Sequence, residues 1–84
     1  MKDGNHAYEV EGLRDNLDEV FAVEILGYQT LEAALLLAQD LADRWQATVN
    51  LIRVPFIHTG SASWSDEQVE LVQQLLPSRP VQPP

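Results

Sequence analysis

The sequence predicts a small α/β domain in the order ββαβα. The expected architecture is a three-stranded sheet with a long central helix on one face and a shorter C-terminal amphipathic helix. Three observations carry that expectation. The stretch Val20 to Val54 reads VFAVEIL, then a segment rich in leucine and alanine, then TVNLIRV, which is strand, helix, strand. His6 to Glu11 alternates apolar and acidic residues. A capping pattern at Ser65 precedes a second run of helix-spaced apolar residues. The domain is expected to occupy residues 1–76, followed by a proline-rich tail over 77–84.

The first strand follows from alternation. Tyr8 and Val10 point one way, Glu9 and Glu11 the other, and Gly12 ends a short, half-exposed strand. Residues 13–19 then read as a turn or short helical turn. Leu13, Leu17 and Val20 are also helix-spaced, so a helix there is the alternative. VFAVEI is rich in β-branched and aromatic residues, which suit a pleated sheet better. In this second strand Phe21, Val23 and Ile25 share one face, and Val20, Ala22, Glu24 and Leu26 share the other.

The central helix is announced by Thr30 at the N-cap position. At 100° per residue, Leu31, Ala34, Leu35, Ala38, Leu41, Ala42 and Trp45 form one apolar stripe. Glu32, Gln39, Asp40 and Asp43 lie outside it, and Asp40 and Arg44 are spaced for an i, i+4 pair. Leu36 and Leu37 fall off the stripe and mark a flank for a second helix or subunit. In the third strand Val49, Leu51 and Arg53 share a face, and Asn50, Ile52 and Val54 share the opposite one. Apolar residues on both faces of both strands imply a sheet covered on two sides.

Pro55 closes that strand, and PFIHTGSAS reads as a loop. Ser65 and Gln68 make a capping box, Trp64 can staple onto Val69, and Asp66 and Glu67 suit the positive end of a helix dipole. Val69, Leu71, Val72, Leu75 and Leu76 form the expected apolar face, and Pro77 the stop.

Composition bounds the function. Thirteen acidic residues face five basic ones, a net charge of −8. That opposes direct binding to nucleic acid, whose affinity comes largely from Lys and Arg on phosphates, and to anionic membranes. No apolar run approaches the length of a membrane span. With no cysteine there is no disulfide and no thiolate chemistry, which suits a cytoplasmic setting. His6 and His58, the two histidines, belong to no ligand motif, so no metal, cofactor or catalytic residue is assigned.

The loop is the one candidate ligand site. His58, Gly60, Ser61 and Ser63 lead toward an expected helix N-terminus, where free N–H groups can hold a small anion. No lysine accompanies them, and no P-loop or nucleophile elbow is present. Glu9, Glu11, Asp15, Asp18, Glu19 and Glu24, with Arg14 alone against them, would suit an acidic inhibitor or nucleic-acid mimic that occupies a basic site. Glu24 interrupts an apolar strand and is expected near a solvated sheet edge; buried instead, it would take Arg53 as its natural partner if their faces coincide. The leading reading is a non-enzymatic, self-associating protein-interaction module, a homodimer with Leu36 and Leu37 in its interface and a protein partner.

Overall fold

The computed structural model describes residues 5–14, 19–56 and 67–78. Among them are four strands and one helix: β1 Asn5–Leu13, β2 Val20–Thr30, α1 Leu31–Trp45, β3 Val49–Val54 and β4 Glu70–Leu75. The four strands form one sheet in the order β2-β1-β3-β4, and every neighbouring pair is antiparallel. This corrects the expected ββαβα fold and its three-stranded sheet. The order is ββαββ, and sheet dominates.

The C-terminal segment is the source of the difference. Residues expected to be a second amphipathic helix are a strand from Glu70, paired antiparallel to β3. The apolar spacing misleads because β4 carries a register shift opposite Leu51 and Ile52. A bulge inserts one residue and resets the alternation. Val72 and Leu75 therefore both turn toward α1, although three residues separate them. A helix of about three turns has little stability of its own. Pairing with the open edge of β3 satisfies the same backbone groups and buries Leu75 as well. Ser65 and Trp64, on which the cap and staple rested, lie outside the described residues.

β1 is also corrected. It is longer than expected, runs through Gly12, and lies between β2 and β3 rather than half exposed. The alternation itself holds: Tyr8 and Val10 are buried under the helix, and Glu9 and Glu11 point to the opposite face. At the far end of β1 the Arg14 N–H donates to the Glu19 carbonyl at 2.9 Å, joining β1 to β2, while residues 15–18 lie outside the described set. β2 and β3 are both antiparallel to β1, hence parallel to each other. The helix between them therefore joins parallel strands that are not neighbours, with β1 inserted in the gap.

α1 begins where the sequence places it. Thr30 is extended, and its Oγ1 accepts from the Ala33 N–H at 3.1 Å. The helix ends at Gln46, whose left-handed backbone lets the Gln46 and Ala47 N–H groups both reach the Ala42 carbonyl. Ala34, Ala38, Leu41 and Ala42 are buried, and Leu35 and Trp45 pack at the margin. Leu31, expected in the stripe, is largely exposed at the first turn. The sheet side of the core is Tyr8, Val10, Val49, Leu51 and Leu75. On the other face Ala7, Ile52 and Val54 are buried with Val69 packed against them.

Two substitutions test this packing. Leu41 is only 3% exposed at the centre of the helix–sheet contact. Leu41→Ala is expected to cost about 2–5 kcal/mol in urea unfolding, against less than about 0.5 kcal/mol for Leu36→Ala on the exposed side. A Cβ at Gly12 would sit 2.8 Å from Trp45 Cε3 and 2.9 Å from Phe21 Cζ. Gly12→Ala is therefore expected to cost about 1–3 kcal/mol by overpacking, and an unchanged unfolding midpoint would remove Trp45 from that position.

Candidate interaction surface

The sheet order makes β2 an edge strand, and this decides the character of the surface. VFAVEIL has the apolar content of a strand buried on both faces, yet among the described residues only one of its edges is paired. Val20, Phe21, Val23, Ile25 and Tyr28 are all exposed. Cross-strand pairing puts Val23, Ile25 and Tyr28 beside Glu11, Glu9 and Ala7, on the face turned away from α1. Ala22, Glu24 and Leu26 take the helix side, as their spacing predicts. Phe21 departs from it. A register shift beside Gly12 and Leu13 turns its ring onto Trp45, at 5.7 Å between centroids and 64° between planes. A second shift lies between Tyr8 and Glu9, next to Gly27 at φ +85°. Glycine enters that conformation without the strain a Cβ would impose.

A separate apolar zone runs between α1 and β4. It is an open groove of about 520 Å³ lined by Leu35, Leu36 and Leu75, with Glu32, Gln39 and Gln73 at its rim. Leu36 is 74% exposed there. Leu37, 40% exposed, does not line this groove and lies on the flank of the helix that carries Arg44. Beyond β4 the chain is held to the helix. The Gln39 amide donates to the Leu76 carbonyl at 2.8 Å, and the Ser78 N–H and hydroxyl both donate to the Asp43 carboxylate. The first residues of the expected tail are thus tied down, and residues 79–84 lie outside the described set.

A third depression, of about 480 Å³, lies where α1 ends, lined by Leu13, Arg14, Glu19, Phe21 and Trp45 among others. The Arg14 guanidinium sits 5.7 Å above the Phe21 ring and 3.5 Å from the Glu19 carboxylate.

The charges are arranged in pairs along exposed surface. Arg53 does not meet Glu24. It hydrogen-bonds Glu70 on β4, because β1 separates β2 from β3. Glu24 is exposed on the β2 edge. Arg44 hydrogen-bonds Asp40, which raises its pKa above the usual arginine value; the Asp40 charge adds to this, and Glu24 adds a smaller push. The acidic run of the N-terminal third is divided between two faces, with Glu9 and Glu11 on one and Glu24 on the other; Asp15 and Asp18 lie outside the described residues. His6 stands edge-on to Tyr8 with ring centroids 6.3 Å apart. Among the described residues no group of three His, Cys, Asp or Glu side chains is placed to hold a metal ion.

His58, Gly60, Ser61 and Ser63, the expected ligand residues, lie outside the described residues. Among the described residues no helix is long and apolar enough to cross a membrane. Comparison with protein-family models, with curated proteins and with solved structures finds no match to this chain. The surface residues that sequence reasoning missed are Val23, Ile25 and Tyr28. Their signal was in plain view as an apolar run with a single charge. Periodicity alone assigns such a run to burial on two faces, and only strand order shows that one edge is open.

The paired charges contribute little to stability. Arg53→Ala removes an ion pair whose side chains are 39% and 61% exposed, and is expected to cost no more than about 1 kcal/mol in urea unfolding. A loss of several kcal/mol would show that Arg53 holds β4 to the sheet.

Proposed function

We propose that this chain is a non-enzymatic binding module that works by self-association, as a homodimer that presents its remaining surface to a protein partner. One observation carries the reading: large apolar side chains are concentrated in strips on the outside of the domain, on β2 and along the helix–β4 groove. Contiguous apolar surface of this kind marks interaction sites on small proteins. A chain of 84 residues gains much by burying it against a copy of itself, and two-fold pairing is the commonest arrangement. The charge of −8 opposes that approach, so the contact belongs where carboxylates are few.

Sedimentation equilibrium at micromolar concentration tests the proposal. A mass of twice 9.4 kDa is expected, with about 1,000 Å² or more buried in total. Raising the salt from 0.05 to about 0.5 M is expected to tighten the dimer, because screening weakens the repulsion of like-charged copies. A mass near 9.4 kDa at every concentration and salt overturns self-association. Loosening with salt would point instead to an interface held by opposite charges.

A further inference from the structure

We infer that two copies join through their β2 edges, antiparallel about a two-fold axis at Val23, to make one continuous eight-stranded sheet. The inference rests on the self-association proposed above and specifies its geometry. Among the described residues no strand pairs with the outer side of β2, which presents a row of main-chain donors and acceptors there, and another strand is the group that satisfies such a row best. Natural edges are usually guarded by shortness, proline, lysine or bulges. β4, the other edge, is guarded: it has six residues, a register shift in its middle and Pro77 just beyond. β2 also carries two register shifts, but it has eleven residues, no proline and no lysine, and Ala22 to Ile25 between the shifts pair regularly.

The choice of a second copy over another partner follows from charge. Glu24 is the one acidic or basic residue between Val20 and Thr30, in a chain of net charge −8. The Glu24 charge is felt at Arg44 of the same copy, so a cation lies near it on the helix side. On the edge strand itself a like-charged copy meets a single carboxylate, with Glu9 and Glu11 one strand further in, on β1.

The register follows from the two irregularities. Between them Ala22, Val23, Glu24 and Ile25 pair regularly with Gly12, Glu11, Val10 and Glu9. A two-fold axis perpendicular to the sheet must pass through a residue, because directly opposed side chains share a face. An axis at Ala22 or Ile25 runs the pairing into an irregular position on one side. An axis at Glu24 sets the two carboxylates against each other, which is unfavourable. An axis at Val23 keeps Ala22, Val23 and Glu24 in the regular span, opposes Val23 to its own copy, and faces each Glu24 with the second copy's Ala22. Val23, 54% exposed in the single chain, then meets its own copy across the joint, with Ile25, 53% exposed, diagonal to it on the same face.

Cysteine cross-linking of the full chain tests the axis. The sequence has no cysteine, so Val23→Cys introduces the only thiol. Opposed residues of an antiparallel pair have Cα atoms about 4.5–5.5 Å apart, inside the range a disulfide spans. Val23→Cys is expected to form a linked dimer under mild oxidation, whereas Tyr28→Cys and Leu71→Cys on the same face are not. In parallel, Val23→Lys is expected to weaken the dimer about tenfold or more, read by sedimentation, while Leu71→Lys leaves it unchanged. A wild-type dimer that neither cross-links at Val23→Cys above the controls nor responds to Val23→Lys overturns the β2 joint and leaves self-association standing. A wild-type monomer at all concentrations overturns both. If Val23→Lys fails to fold, the cross-linking result decides.

Discussion

The fold depends on one contact, the alanine line of α1 laid against the two central strands. Ala34, Ala38 and Ala42 recur every four residues and are fully buried. Small side chains on the helix let its backbone lie close to the sheet, and the large partners come from the other side: Tyr8 and Val10 of β1, Val49 and Leu51 of β3. Leu41 adds the helix's one large buried side chain, with Leu35 and Trp45 closing the margins. Because the helix joins β2 to β3 and β1 lies between them, this contact also fixes the sheet order. A chain that places α1 over β1 leaves β2 outside.

That arrangement distributes apolar surface unevenly. One face of the sheet is covered by α1. The other is covered around Ala7, Ile52 and Val54, with Val69 against them. Both covers are centred on β1 and β3. The apolar side chains of β2 therefore lie beyond their reach on the open-face side, and Phe21 gains partial cover from Trp45 because a register shift carries it there. Gly12 makes that contact possible, since any Cβ there would collide with both rings.

Electrostatics shapes the surface more than it stabilises the fold. Arg14, Arg44 and Arg53 are each paired with a nearby acid, all at exposed positions where such pairs contribute little. The pairing consumes most of the basic charge, so the excess of acid is spread over the remaining surface. The sparsely charged β2 edge stands out against that background. A like-charged copy is the partner for which such a strip matters most, since elsewhere it would meet repulsion.

Local chemistry determined α1 from sequence. The Thr30 cap, the helix-forming residues, the apolar stripe and the Asp40–Arg44 pair act within a few residues of one another, and the structure contains them, with Leu31 of the stripe left exposed. Alternation likewise identified β1, β2 and β3, and separated Tyr8 and Val10 from Glu9 and Glu11, because side chains on a strand reverse at every step. What lies between elements needed the tertiary structure. The C-terminal apolar run satisfies helix spacing, and becomes β4 because β3 offers an unpaired edge and a bulge absorbs the mismatch. The interaction surface was hidden for the same reason. Leu36 and Leu37 fall off the helix stripe and were legible as surplus surface. Val23 and Ile25 look like core by every local measure, and are exposed only because β1, not β2, takes the place beside β3.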